Sequence, residues 1–395
     1  MMQPPDSTAL AQSAELCAAI RAAIEQSQAG AIPFSRFMEL ALYTPGLGYY
    51  SGRASKFGQE GDFVTAPEIS PLFSQTCADV FIPSLQQLGP DCRLVEIGAG
   101  SGAFARTVLE RLDVQQALPA SYAIVETSAD LRARQRQCLM AHLPDEIVQR
   151  VEWLDRPLTS RWKGILFANE VVDALPVTRF LVKDGGFYEE MVTIDAEGTL
   201  ACTYGPASDA LCTYLCQVES AIGHRLAEGY RSECLPQLPA WLRAITAGMD
   251  QGAVILIDYG FPRSEYYHPD RCEGTRRAYY RHHVHNNVYE WPGLQDITAS
   301  VDFTALAQAG CQAGLALEGY CSLSQFLRHH GIDQRLIEAS RQLEADDLLA
   351  HQRLHSQMRR LLFPEHMGEC FQVMAFSLHL TQEGLLPCPD LTWRL

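Results

Sequence analysis

Leu94-Val95-Glu96-Ile97-Gly98-Ala99-Gly100-Ser101-Gly102-Ala103 decides how this chain is read. Four mostly apolar residues predict a short strand, the glycines a turn, and Ala103 to Leu112 a helix. Glycine at such a turn permits positive φ and lets a ligand approach the backbone. It also brings the N–H groups of the following helix toward that ligand.

Moving outward, the strand–helix rhythm repeats. Tyr122 to Glu126 reads as a second strand, followed by a helix from Ala129 to His142. Val148–Trp153 is an edge-like third strand, Gly164–Ala168 a fourth and Ala253–Asp258 a fifth. Such alternation predicts a parallel, doubly wound sheet. Ala316–Ser322 and Cys370–Leu380 bracket a helical block, Ser324–Leu362, and read as an antiparallel hairpin closing that sheet. The expected fold class is therefore α/β, a Rossmann-like core of seven mostly parallel strands, and its late antiparallel hairpin is the feature that separates methyltransferases from most dinucleotide-binding domains. The core is placed at residues 90–380, with insertions at about 178–251 and 323–365 and a tail at 381–395. The first insertion carries a hairpin, Arg179–Val182 with Phe187–Ile194. Residues 1–89 form a helical cap (helices at 8–28, Phe34–Tyr43 and Ser70–Leu88). The 26 residues from Gly46 to Pro71 form a loop long enough to expect a functional role.

At 395 residues the chain can bury a large core, and 47% hydrophobic with 20% charged residues is ordinary globular composition. A net charge of −16 argues against non-specific nucleic-acid binding, which needs basic side chains, and favours a basic partner. Thirteen cysteines without a C-x-x-C pair argue against a zinc ribbon or a thioredoxin-like site. The start lacks a basic leader and no stretch reaches the length of a membrane span, so a cytoplasmic location is expected. A homodimer stays open.

The glycine turn with Ala103 also satisfies a dinucleotide fingerprint, so it does not choose a ligand alone. Three carboxylates favour S-adenosyl-L-methionine. Glu96 precedes Gly98 by two residues, where it attracts a cationic amine and repels a pyrophosphate. Glu126 ends the next strand, suited to both ribose hydroxyls, and Asp155 follows the third, suited to the adenine amino group. Gly98, Ala99, Gly100 and Gly102 are the cradle. A plain turned sheet corner is the structural alternative, and Asp155-Arg156-Pro157 also reads as a solvated turn.

The fourth strand ends in Asn169-Glu170-Val171-Val172-Asp173. Ligands in such sheets bind beyond the carboxyl ends of strands, so Asn169 is offered to the cofactor and Asn169, Glu170 and Asp173 to the reacting group. If the chain turns helical there, Glu170 and Asp173 share a face, and two carboxylates can grip a guanidinium. Capping of a helix is the competing reading. Gly61 to Ser70 contains Glu68 and Ser70, expected over the cofactor, or else a helix-entry loop. His282 and His283, in Arg281-His282-His283-Val284-His285, are further catalytic candidates, with structural hydrogen bonding the stronger alternative and a metal the weaker.

Taken together, Leu42-Tyr43 with Gly48-Tyr49-Tyr50, Gly61 to Ser70, Glu96 to Gly102, Val125-Glu126 with Leu131 and Gln135, Asn169 to Pro176, Ile257 to Gly260, Gly274-Thr275, Asp296-Ile297-Thr298 and Val301-Asp302-Phe303 resemble the MidA family. The resemblance implies a class I methyltransferase using S-adenosyl-L-methionine, a protein partner presenting arginine for symmetric dimethylation, and by analogy a respiratory complex subunit. The alternatives are methylation of a small molecule or another residue, or an assembly factor holding the cofactor structurally. Tyr320 to Gln325 departs from the family pattern in being more polar.

Overall fold

In the computed structural model, which describes residues 4–52, 65–281, 283–344, 347–380 and 390–395, the deciding stretch forms strand β1 (Arg93–Ile97) and the helix Ala103–Val114. Six further strands of its sheet follow as β2 (Ser121–Val125), β3 (Val151–Leu154), β4 (Trp162–Asn169), β5 (Met249–Phe261), β6 (Ala316–Ser322) and β7 (Phe371–Leu378). Their spatial order is β6-β7-β5-β4-β1-β2-β3. Pairs among β1 to β5 are parallel, and β7 runs antiparallel to both β5 and β6. This is the expected class I arrangement, with the late hairpin in place. The order reverses between β1 and β4, where Ile97 lies opposite Ala168, and such a switch point is where doubly wound sheets bind ligands.

Near-continuous apolar runs explain why these strands are central. Leu94, Tyr122, Ala123, Ile124, Ile165 and Leu166 are all fully buried, as strands covered on both faces must be. Phe104, on the helix that leaves the glycine turn, stacks on Phe167 of β4 with centroids 4.2 Å apart and planes within 4°. Phe81 meets Phe167 edge-on from the helix Pro71–Leu88.

Several boundaries differ from the sequence expectation. Val148 ends a short helix, Asp145–Val148, because Pro144 caps it and turns the chain before β3. The expected helical block divides into Leu323–His329, Ile332–Gln342 and Leu348–Leu362. The polar run at Tyr320 to Gln325 has a local reason. Ser322 and Gln325 form a reciprocal capping box, and the hydroxyls of Ser322 and Ser324 donate to Glu369 Oε1 at 3.1 and 2.7 Å.

The described chain divides into two compact units. One holds the sheet above, from residues 64–171, 239–260 and 306–395; the helix Pro71–Leu88 groups with it. The other draws on residues 1–63, 172–238 and 261–305. Here Gly186–Ile194 pairs antiparallel with Ile32–Pro33, Thr178–Lys183 and Leu200–Pro206, and Arg231–Cys234 pairs with Thr178–Lys183. A second, three-stranded sheet joins His283–His285, Arg277–Tyr280 and Asp296–Thr298, which periodicity did not announce. The buried Arg179 guanidinium donates to Glu190 and Glu233, both at 2.9 Å, while Arg276 and Tyr289 donate to the other Glu190 oxygen at 3.1 Å. No helix among the described residues is long and apolar enough to cross a membrane.

One prediction concerns the sheet centre, where Arg93, Gly164 and Gly252 lie side by side on β1, β4 and β5. A Cβ on Gly164 would overlap the Arg93 carbonyl oxygen, and its φ of +157° is one that side chains rarely adopt. Gly164→Ala is expected to cost about 3 kcal/mol, the upper end for overpacking. Gly186→Ala, where the nearest atom lies 3.8 Å away, serves as the mild control. Denaturant midpoints measure both, and equal midpoints would refute the close approach.

Candidate functional site

The turn after β1 takes left-handed conformations at Gly98, Gly100 and Gly102, with φ of +70°, +52° and +85°. It is held from three sides. Gly98 N donates to Val125 O at 3.2 Å, Gly102 N to Ala99 O at 2.8 Å, and Gln135 Nε2 to Gly100 O at 3.0 Å. A Cβ on Gly102 would come within 3.2 Å of Gln135 Cα, and one on Gly98 within 3.0 Å of Val171 Cγ2. Gly102 also serves as N-cap of the helix without any side-chain cap, which leaves backbone donors at its first turn.

Two carboxylates border this turn. Glu126 follows β2, is 8% exposed, and accepts from Ser128 N at 2.8 Å and from Gln135 Nε2 at 3.3 Å. Burial raises its carboxyl above the ordinary value against those hydrogen bonds. Glu96, 3% exposed, accepts from the Tyr122 hydroxyl at 2.7 Å. Burial pushes Glu96 up to about 8; the Tyr122 bond opposes this and the Glu126 charge adds to it. The carboxylates thus sit where a cation would be welcome and a phosphate repelled.

At the end of β4, Asn169 Nδ2 donates to Glu170 Oε1 at 2.9 Å, and Asn169 Oδ1 is buried with no hydrogen-bond partner. Glu170 is left-handed, with φ of +56°. Its N–H donates to Ile257 O at 2.9 Å, and the next N–H, of Val171, donates to Asp258 Oδ2 at 3.2 Å. Strained backbone of this kind persists when neighbours over-determine it, and β5 supplies both restraints. The segment after Asn169 does not become helical. The expectation that Glu170 and Asp173 share a helix face is therefore corrected: the ladder to β5 captures the N–H groups that a helix would need.

The other candidates disperse. Asp155 is mostly exposed and its carboxylate is engaged by Arg132. Ser70 is buried as N-cap of the helix Pro71–Leu88, accepting from Leu72 N at 3.4 Å, as the helix-entry alternative had it. Glu68 is half-buried on the short helix Ala66–Ile69; the loop before it, residues 53–64, lies outside the described residues. So does His282, while His283 is exposed on a hairpin strand of the other unit, where Asp173 also lies. Among the described residues, no group of three His, Cys, Asp or Glu is placed to hold a metal. Sequence reasoning missed Tyr122 and Trp153, whose Nε1 donates to Gln135 Oε1 at 3.0 Å, and it quoted Gln135 among the family motifs without giving it a role at the turn. The signal for Gln135 was positional, since Leu131, Gln135 and Leu139 repeat every four residues on the buried face of one helix.

The Glu96 carboxyl makes stability depend on pH. Folding raises it from 4.5 to about 8, so the folded chain keeps a proton that the unfolded chain releases. That contribution is fully present below about 4.5 and is lost as pH rises through about 8. Without ligand, the melting temperature of Glu96→Gln should fall less between pH 5 and pH 8 than that of the unaltered chain. Parallel profiles would contradict a neutral buried Glu96.

The donor set fits S-adenosyl-L-methionine: two buried carboxylates, an orphaned Asn169 oxygen and a glycine cradle that excludes side chains. Comparison with known proteins agrees. Residues 76–321 match the family described as "Putative S-adenosyl-L-methionine-dependent methyltransferase". The mitochondrial protein arginine methyltransferase NDUFAF7 of Danio rerio is 28% identical over 87% of this chain and 82% of its own. That of Homo sapiens is 27% identical over 90% and 82%. A crystal structure of a Burkholderia thailandensis protein bound to S-adenosyl-homocysteine is 39% identical, covers all of both chains and superposes with a TM-score of 0.91. The resemblance to the MidA family is thereby borne out. This chain belongs to that family of S-adenosyl-L-methionine-dependent methyltransferases, and S-adenosyl-L-methionine is its cofactor.

Proposed function

We propose that the chain methylates an arginine side chain of a protein, with symmetric dimethylarginine as the end product. The observation that carries this reading is Glu170, a carboxylate in left-handed backbone at the switch point, braced by β5 and paired with Asn169. The names of the two NDUFAF7 relatives, which give arginine as acceptor, support it.

When bound, the cofactor supplies an electrophilic methyl group on a sulfonium. Everything else falls to the chain's own side chains. Glu126, already restrained by Ser128 and Gln135, accepts from the ribose hydroxyls. Glu96 receives the amine end, and the pairing offsets the desolvation that keeps it protonated alone. Gly98 to Gly102 admit the ligand against backbone. Asn169 Oδ1, buried and unpartnered, is the acceptor left for the cofactor or the incoming N–H. A guanidinium is protonated at neutral pH, its pKa being above ~12, so one proton has to leave as the new N–C bond forms. Glu170 takes that proton, and Asn169 holds the carboxyl oriented.

Two variants separate binding from chemistry. Glu126→Ala should weaken S-adenosyl-L-methionine binding by about 2–3 kcal/mol, the worth of charge-assisted hydrogen bonds, measured by calorimetry. Glu170→Gln should leave that affinity intact and lower methyl transfer to proteins of a deletion-strain extract by about 10²-fold, the scale of a lost general base. Full transfer by Glu170→Gln sinks the proton assignment. Methylation of some residue other than arginine, read by mass spectrometry, sinks the acceptor assignment.

A further inference from the structure

The helix Ala129–His142 buries Leu131, Gln135 and Leu139, and the middle of the three is an amide where a leucine would fill similar space. Gln135 is fully buried. Burying an amide costs free energy unless its polar atoms are satisfied. Those of Gln135 are satisfied, and their partners come from three different elements. Nε2 donates to Gly100 O at 3.0 Å in the turn after β1 and to Glu126 Oε2 at 3.3 Å beyond β2. Oε1 accepts from Trp153 Nε1 at 3.0 Å on β3. Every one of these residues belongs to the sheet unit.

The partners fix which way the amide faces. An indole N–H only donates and a backbone carbonyl only accepts. Turning the amide over would set its NH2 against the Trp153 N–H, and its oxygen against Gly100 O and the Glu126 carboxylate. Trp153 is held by the same helix in a second way, because the Arg136 guanidinium carbon lies 4.5 Å from the centre of its ring. With Ser128 N on Glu126 Oε1 and Gln135 Nε2 on Oε2, both carboxylate oxygens are oriented as acceptors. The same NH2 pins Gly100, so one group holds carboxylate and cradle in register.

We propose that Gln135 is a positioning residue of the cofactor site, and that Trp153 acts through it, by locking the amide, to set the affinity for S-adenosyl-L-methionine. The inference rests on the reading of Glu126 as acceptor for the ribose hydroxyls and adds what keeps that carboxylate aimed. A closed polar network of this kind is worth more than its separate bonds, because each member fixes the orientation of the next. Without Trp153 the amide can turn over, and Glu126 and Gly100 then lose their shared donor.

Calorimetry of the full chain with S-adenosyl-homocysteine tests this. Gln135→Met keeps the volume and removes both donors, and should weaken binding about tenfold, with Trp153→Phe weakening it about threefold. In the double variant Trp153→Phe should add nothing to the loss from Gln135→Met, since its effect passes through the amide. Gln135→Glu sets a second carboxylate beside Glu126, and like charges that close raise the pKa of the pair. Relative to the unaltered chain, its affinity should recover about threefold from pH 8 to pH 6, as the pair takes up a proton that can serve as donor. Circular dichroism checks folding, and Trp153→Phe with the Gln135→Glu profile carries the test should Gln135→Met unfold. Wild-type affinity in folded Gln135→Met or Trp153→Phe, additive losses in the double variant, or a Gln135→Glu profile parallel to the unaltered one overturns the inference. Glu126→Ala judges the ribose reading separately. Weakened binding there beside wild-type affinity in Gln135→Met removes the positioning role alone, and unchanged binding in Glu126→Ala removes both.

Discussion

Phe104 lying flat on Phe167 ties the chemistry-bearing parts of the sheet unit together. Phe104 is the second residue of the helix that the glycine turn feeds, and Phe167 stands two residues before Asn169. Their stack therefore sets the distance between the turn and the end of β4, and Phe81 closes the cluster from a third element. Dense packing transmits such placement because interiors have little free volume to absorb a shift. The positive φ angles at Gly98, Gly100 and Gly102 are easiest for residues without Cβ, and a side chain at Gly98 would meet Val171 and one at Gly102 would meet Gln135.

Electrostatics differ between the two units in an instructive way. Two buried carboxylates of the second unit, Glu190 and Glu233, are matched by Arg179, with Arg276 also bonded to Glu190, so that their ionic charge is consumed in holding the fold. Glu96 and Glu126 border a ligand cradle instead, and their polar partners are hydroxyl, amide and backbone groups. Their carboxyls accordingly sit above the ordinary value. A methyltransferase cofactor with a cationic amine and sulfonium suits such a field, and a dinucleotide does not.

Much of the core was legible in the residues themselves. The strand Ala316–Ser322 and the helices Phe34–Tyr43 and Ala129–His142 lie where periodicity puts them. The reason is local, since apolar period and glycine punctuation act over a few residues. Asp258 illustrates the limit. The sequence shows an acid at the end of a buried strand, but only the parallel pairing of β4 with β5 brings its oxygen to Val171 N and turns Glu170 left-handed. Asp155 is the complementary case, because Arg132, on the helix Ala129–His142, engages its exposed carboxylate.

By itself, then, the chain's order of residues determined the strand–turn–helix alternation, the glycine cradle, the Glu96 and Glu126 carboxylates flanking it and the class of cofactor. These depend on spacing along a few residues and on the chemistry of the side chains. Tertiary structure alone decided that Tyr122 and Gln135 brace those carboxylates, that Ser70 is spent as a cap, and that residues 1–63, 172–238 and 261–305 assemble one unit. It also decided that Tyr50 meets Asp296, 246 positions further along the chain. Such pairings are set by which surfaces can be buried together, and no period in the sequence encodes that.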